Sequence, residues 1–218
     1  EVFFHEVQVD GKWVKLYDPK QEGSRSPLHE VYEGLMMTGV DSDKELARQY
    51  RSRKFYIVKV IDRDNEQDGV KFWRFKHNHK GDGVIDKIFP IFRNKGDVTH
   101  PETGRDLILS LSLTKAGTGK EYTVINSVLN DDVSPLNADA DIAKSWLDDE
   151  LTWSDAYSKK SVDYLELVAR GEAPRWDNDQ KKYVSTSTSE ETFSTPQKSS
   201  TPTVDPQVDE EVDEDLPF

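Results

Sequence analysis

A two-residue Asp-Gly turn near the amino end leaves the backbone around it few choices. Asp10 and Gly11 separate EVFFHEVQV from KWVKLY, two segments in which apolar and polar side chains alternate. A type I′ turn needs positive φ at both central residues, so Asp-Gly between such segments indicates a β-hairpin of fixed register. The opposing pairs in that register include Val7 with Val14 and the oppositely charged Glu6 with Lys15. Residues 1–17 are therefore predicted to form a hairpin.

The same alternation recurs further along the chain and predicts more strands. The candidate strands are RKFYIVKVI (53–61), VKFWRFK (70–76), DLILSLSLT (106–114) and KEYTVINSV (120–128). The third has Leu107, Leu109, Leu111 and Leu113 as its predicted inner face. Short strands with Gly turns and peripheral helices favour a mainly β chain folded as a small barrel.

Helical patterns are confined to a few segments between and after these strands. Residues 41–51 predict a short helix with Ser42 as N-cap, and 154–171 predicts a longer one that ends at Gly171. Residues 84–92 fit either a short helix or a connector that closes the barrel. Residues 18–40 are predicted to be turns, because Gly and Pro interrupt every periodicity.

The last 34 residues differ in composition from the rest. Residues 185–218 are rich in Ser, Thr and Pro and then acidic, with nine acids against one lysine. Such a segment has too little apolar surface to form a core and is predicted to be disordered. We therefore divide the chain into a folded domain, residues 1–184, and a disordered acidic tail, residues 185–218.

Charge is segregated within the folded domain. The whole chain has a net charge of -13, but residues 48–80 contain ten Lys and Arg against four acids. A polyanion responds to the local field of such a patch more than to the total charge. This window therefore permits a nucleic-acid ligand in an acidic protein.

Aromatic residues accompany the basic ones in that window. Alternation places Phe55 and Lys59 on one face of 53–61, and Lys71, Trp73 and Phe75 on one face of 70–76. We expect both faces to be exposed, so that bases of a single strand stack on the rings while Lys and Arg neutralise phosphates. The alternative is that these rings are core residues, since most aromatic side chains on strands are buried.

Other kinds of site have weak support. The sequence has no Cys, which excludes disulfides and thiolate-ligated zinc, and no run of 18 apolar residues or signal peptide. His77 and His79 have a spacing that can bind metal but no evident third ligand, and no catalytic triad is suggested. We expect a binding protein of the cytoplasm, not an enzyme, without metal or cofactor and without a membrane partner.

The chain's last residues, VDEEVDEDLPF, suit a docking peptide. A terminal carboxylate and ring fit a basic, apolar pocket of a partner, and the upstream acids steer the approach. The alternative is an acidic tail that only improves solubility. The same acids, tethered near a basic groove, are also expected to compete with DNA.

Three short motifs, GKWV, WRF and DKI, occur here in the order and rough spacing of a known family. Residues 1 to about 135 resemble the OB-fold core of the single-stranded DNA-binding protein of T-even-like tailed phages. The resemblance implies a five-stranded OB-fold barrel with peripheral helices. It also implies that Trp73 and Arg74 lie in the DNA cleft and that Tyr122 stacks with bases. The family has aromatic residues at the positions that Arg53 and Lys54 occupy here, so their stacking role is expected to pass to Phe55 and Tyr56.

Two further comparisons with known families concern zinc and the tail. The phage family usually has a Cys/His zinc subdomain, whereas residues 18–50 have no Cys and only His29, so no zinc is predicted. The tip DEDLPF is similar to the acidic tip of bacterial single-stranded DNA-binding proteins, which recruits replication and repair proteins. A phage protein with this tip would act in the cytoplasm of the bacterial host.

The sequence thus predicts a protein that binds single-stranded DNA without sequence preference in replication, recombination and repair. The alternatives are an OB-containing nuclease or replication accessory enzyme, and an acidic interaction module or DNA mimic. The predicted DNA-binding residues are Arg51, Arg53, Lys54, Phe55, Tyr56, Lys59, Lys71, Trp73, Arg74 and Tyr122. The predicted partner-binding residues are Asp213, Glu214, Asp215, Leu216, Pro217 and Phe218.

Overall fold

Four strands form one curled antiparallel sheet in the computed structural model of the chain, which describes residues 1–115, 117 and 119–186. The strands are β1 (Val2–Val9), β2 (Lys12–Tyr17), β3 (Ser52–Ile61) and β4 (Val70–Lys76), in the order β2-β1-β3-β4. Together they make a half-barrel. The prediction of a disordered segment over 185–218 falls, from residue 187 onward, outside the described residues.

The hairpin at residues 1–17 is confirmed together with its register. Asp10 and Gly11 have φ of 51° and 71°, as a type I′ turn requires. The opposing pairs include Val7 with Val14 and Glu6 with Lys15. The local turn therefore fixes which side chains of β1 and β2 share a face.

The other elements surround this sheet. Two strands, β5 (Arg105–Lys115) and β6 (Glu121–Val133), form an antiparallel ribbon, and β7 (Pro174–Asp177) and β8 (Lys182–Ser185) form a short hairpin. The α-helices are α1 (Pro27–Met37), α2 (Asp41–Tyr50), α3 (Val84–Lys95), α4 (Ala140–Leu147), α5 (Trp153–Ala156) and α6 (Val162–Ala169), and 3-10 turns span Pro19–Glu22 and Arg63–Asp68. None of the helices in the described ranges is long and apolar enough to cross a membrane.

The described part of the chain is a mixture of helix and sheet, so the mainly β prediction holds only in part. A closed five-stranded barrel is not seen there, because β5 pairs with β6 and neither is hydrogen-bonded to the four-stranded sheet. Helix α3 and strand β6 instead cover the end of the sheet at β4 by side-chain packing. Of the predicted inner face of β5, Leu107 and Leu109 pack there, whereas Leu113 is 72% exposed.

Several local predictions for the helices were wrong. Residues 18–40, which were predicted to be turns, contain α1. This helix begins at Pro27, and Pro is tolerated at the first helical position because the N–H that it lacks would have no acceptor within the helix. Helix α2 is preceded by Val40 as N-cap, and not by Ser42. The long helix over 154–171 is two short ones, because Ser161 caps a new helix by accepting from the backbone N–H of Tyr164.

A buried polar cluster joins the hairpin to the segments that follow it. His5 is fully buried, and its Nδ1 donates to the carbonyl oxygen of Tyr50 at 2.8 Å. Its Nε2 lies 3.4 Å from Oδ1 of Asp18 and 3.3 Å from Oγ of Ser26. Burial alone would raise the pKa of Asp18, but the hydrogen bond and charge of His5 outweigh it and hold that pKa well below its usual range.

Among the described residues the core has three clusters, which lie on the two faces of the sheet. One face packs Trp73 and Phe75 against α3 and β6, and packs Val7 and Leu16 against α1 and α6. The opposite face carries a smaller cluster, made of Val2, Phe4, Tyr17 and Phe55. Fewer buried residues pack against this second face, and the candidate site lies on it.

Candidate functional site

The aromatic rings predicted to be exposed on β3 and β4 are buried. Phe55 is 2% exposed, Trp73 is 4% exposed and Phe75 is fully buried. The expectation of exposed rings at these three positions is therefore wrong. Trp73 and Phe75 are covered because the hydrophobic side of α3 and residues of β6 need the same apolar surface.

The register between β3 and β4 explains where the error arose. Ile57 lies opposite Arg74, and Val58 lies opposite Trp73. Successive side chains on a strand point to opposite faces, so Lys71 and Trp73 lie on the same face as Val58, the one that α3 covers. Phe72 and Arg74 lie on the other face, so the prediction for β4 was wrong by one residue.

We call this other surface the Arg74 face. It is made of alternate residues of all four strands: Trp13, Lys15 and Tyr17 of β2; Val2, Phe4, Glu6 and Gln8 of β1; Arg53, Phe55, Ile57, Lys59 and Ile61 of β3; Val70, Phe72, Arg74 and Lys76 of β4. Five of these side chains are cations, and Glu6 is the one carboxylate among them. The face thus combines positive charge with aromatic rings.

Three of the cations converge on Glu6. Its carboxylate lies 3.1 Å from Nζ of Lys15, 3.4 Å from Nε of Arg53 and 3.4 Å from Nζ of Lys76. Burial would raise the pKa of Glu6, but the charges of Lys76 and Lys15 outweigh it and lower that pKa. The centre of the Arg74 face therefore stabilises a negative charge.

Cations also lie over rings on this face. The guanidinium carbon of Arg74 is 5.7 Å from the ring centroid of Phe55, and Nζ of Lys15 is 5.8 Å from it. Nζ of Lys59 lies 5.8 Å from the ring centroid of Phe72. Trp13 is 65% exposed and offers an open ring on the same face. Cations and open rings are the groups that contact phosphates and stack on bases in single-stranded nucleic-acid sites, whereas the buried ring of Phe55 is not one that a base can reach.

Residues 149–157, which we call the covering segment, lie across part of the Arg74 face. Nζ of Lys59 donates to the backbone oxygen of Asp149 at 2.7 Å and to its Oδ1 at 2.8 Å. A cavity of about 370 Å³ remains between the segment and the sheet, lined by Ile57, Lys59 and Phe72 on the sheet side. The segment therefore spans the face without filling it.

Two rings anchor the covering segment. Trp153 stacks on Tyr17 with centroids 5.6 Å apart, and Tyr157 meets Phe4 edge-on at 5.8 Å. The guanidinium carbon of Arg74 lies 4.8 Å from the centroid of Tyr157. Burial, reinforced by Glu22, raises the pKa of Tyr17, so its hydroxyl stays protonated.

The other predicted DNA-binding residues lie elsewhere. Arg51 is exposed where α2 ends. Lys54, Tyr56 and Lys71 lie on the sheet face opposite the Arg74 face, where Lys71 is held by Asp62 and Asp68 at 3.2 and 2.9 Å. Tyr122 lies on β6 opposite Thr114, within the separate ribbon. The predicted partner-binding residues, Asp213 to Phe218, lie outside the described residues.

The face includes residues that sequence reasoning did not select. Trp13, Lys15, Phe72 and Lys76 lie there because they alternate in phase with Glu6 and Arg74 across the sheet. The period-two pattern of β2 and the correct phase of β4 could have indicated them. Nothing local could have indicated the covering segment, since Asp149 lies 90 residues after Lys59.

A second cavity of about 320 Å³ continues beyond Lys59, with Arg105, His100 and Trp146 in its walls. Arg105 donates to the backbone oxygen of Asp131 at 2.9 Å. Across residues 1–115, 117 and 119–186, no group of three or more His, Asp or Glu is placed to hold a metal ion.

Comparison with models of known protein families and with the sequences of curated proteins gave no match. The residues and geometry of the Arg74 face are therefore the basis on which a function is inferred.

Proposed function

We propose that the Arg74 face binds single-stranded DNA without sequence preference. One observation carries the proposal: five cations and several aromatic rings share one sheet face with a single carboxylate. Phosphates of a single strand replace Glu6 and Asp149 as partners of the cations. Bases stack on Trp13 and on the rings of the sheet against which the covering segment now packs.

The magnitudes favour useful affinity from this arrangement. Stacking is worth about 1 to 3 kcal/mol per base and tolerates any sequence, since every base has a flat face. Each phosphate contact adds a salt-dependent contribution through counterion release. Two or three stacked bases with four or five phosphate contacts suffice for binding of a strand in the micromolar range or tighter.

The resemblance of residues 1 to about 135 to phage single-stranded DNA-binding proteins supports the same ligand. We propose further that the half-barrel and the β5–β6 ribbon together are an open form of the OB-fold. Packing of Ile125 and Val128 of β6 into the cluster of Trp73 supports this arrangement. Our proposal keeps Arg53, Lys59 and Arg74 of the sequence prediction. It differs in the other contacts, because Phe72 lies on the Arg74 face whereas Trp73 and Lys71 do not.

Fluorescence anisotropy with labelled oligo-dT and with a duplex of equal length tests the proposal. We expect oligo-dT to bind more tightly and its affinity to fall steeply with salt, because single strands expose both bases and phosphates. Absence of binding to either ligand, with or without residues 185–218, would instead favour the acidic interaction module. Magnesium-dependent cleavage of the oligonucleotide would favour the nuclease alternative.

We also propose that the acidic tip recruits replication and recombination proteins, in the cytoplasm where that DNA is handled. The support is the sequence alone, since Leu216, Pro217 and Phe218 directly follow a block of acids. Deleting these three residues should abolish binding to replication proteins of a bacterial host and leave oligo-dT binding unchanged. Undiminished partner binding by the deletion variant would contradict the proposal.

A further inference from the structure

We propose that the covering segment is an internal occupant of the DNA site, which imitates the strand and must leave before DNA binds. This inference concerns regulation of the site and depends on the proposed function. It assigns a regulatory role to residues 149–157, a part of the folded domain separate from the acidic tail.

The segment presents the two chemical groups that a single strand presents. A carboxylate, that of Asp149, accepts from Nζ of Lys59 at 2.8 Å, as a phosphate oxygen would. Flat rings lie against the same face, with Trp153 stacked on Tyr17 and Tyr157 beneath Arg74. Each contact uses a side chain that the proposed function assigns to DNA.

The covering segment and a DNA strand compete for the same side chains of this face. Nζ of Lys59 already donates to both the backbone and the side chain of Asp149, which leaves one of its three donors for a phosphate. The ring of Tyr157 covers the guanidinium of Arg74, where a base would stack. The apparent affinity for DNA is therefore reduced by the fraction of molecules in which the segment is in place.

The segment is also built to detach as a unit. Its internal bonds are local: the backbone N–H of Leu151 donates to Oδ1 of Asp149, and that of Thr152 donates to Oδ2 of Asp155. None of the residues 149–157 is fully buried. Displacement therefore breaks the contacts that Asp149, Trp153 and Tyr157 make with the sheet, and it leaves the segment's own turns without packing support, so that they open more often.

Asp149→Asn tests this inference, with Asp148→Asn as the matched control. The asparagine at position 149 keeps an oxygen that can accept from Leu151 but loses the charge that holds Lys59. Asp148 is exposed, and it forms no ion pair among the described residues, so its replacement makes the same change in net charge one position away. We expect Asp149→Asn to tighten oligo-dT binding by up to about fivefold relative to the control, the factor that loss of one partly exposed ion pair gives.

Equal changes in the two variants would show that net charge alone acts, and weaker or unchanged binding by Asp149→Asn would also overturn the inference while leaving the proposed function standing. If neither variant nor the unchanged protein binds oligo-dT, the proposed function fails and the inference fails with it.

Hydrogen exchange provides a second test on the unchanged protein. With saturating oligo-dT, the amides of Leu151, Thr152 and Tyr157 should exchange faster, while those of β3 should exchange more slowly. Slower exchange at the three segment amides would mean that the segment stays on the face and joins the bound state, which would overturn the inference.

Discussion

Replacing Arg74 with Gln should lower the salt dependence of oligo-dT binding, whereas the same replacement of Lys71 should not. The two residues lie three apart on β4, but Arg74 belongs to the Arg74 face and Lys71 lies on the opposite side of the sheet. Each substitution removes one positive charge and keeps a polar side chain. The pair therefore distinguishes the two faces of the strand at constant net charge.

The magnitude follows from the five cations of the face. Each phosphate neutralised on a single strand contributes about -0.7 to the slope of log Kobs against log salt, so five contacts give a slope of about -3.5. Loss of Arg74 should change it to about -2.8. Raising salt from about 50 to about 200 mM should then weaken binding about 130-fold for the unchanged protein and about 50-fold for Arg74→Gln.

Anisotropy titrations of labelled oligo-dT at four or more salt concentrations measure these slopes. Lys71→Gln should keep the slope of the unchanged protein, because Lys71 is held by Asp62 and Asp68 on the face that α3 covers. A slope lowered by Lys71→Gln and unaffected by Arg74→Gln would refute the assignment of the binding face. It would return the site to the surface that alternation in the sequence first indicated.

Three further predictions concern charge, pH and packing. Glu6→Gln should tighten oligo-dT binding about fivefold in the same anisotropy assay, because the carboxylate no longer competes with phosphates for three cations and this competition costs ~1 kcal/mol. Unchanged affinity would contradict this prediction. Because the pKa of Asp18 is lowered in the folded protein, its stabilising effect is complete above the ordinary aspartate pKa and declines as pH falls below it. In urea unfolding, the free energy of unfolding of Asp18→Asn should therefore fall less steeply with acid than that of the unchanged protein, by up to about 1.4 kcal/mol per pH unit below about pH 4. An equal dependence on pH in the two proteins would be the contrary result. Gly104→Ala should lower the melting temperature, because a Cβ at this position meets two backbone oxygens at 2.5 Å. Gly34→Ala should raise the melting temperature, because its Cβ meets nothing within 4 Å and Ala stabilises a helix by up to about 1 kcal/mol relative to Gly.

Local sequence determined the elements whose information is contained in a few adjacent residues. The turn at Asp10 and Gly11 fixed the hairpin register, and alternation located β3 and β4 within a residue or two. It also identified Phe55, Lys59 and Arg53 as one face, which the structure confirms. Charge segregation identified the window from which four of the five cations on the Arg74 face come.

Only the tertiary structure decided which face of β4 is open. Both sides of VKFWRFK carry a ring and a cation, so the local pattern is nearly symmetric. Packing of α3 and β6 breaks that symmetry by burying Trp73 and Phe75. The covering segment was equally beyond prediction, because its contact with Lys59 joins residues far apart in the chain. Burial and long-range contacts depend on the whole arrangement of elements, whereas alternation and turns depend on neighbours alone.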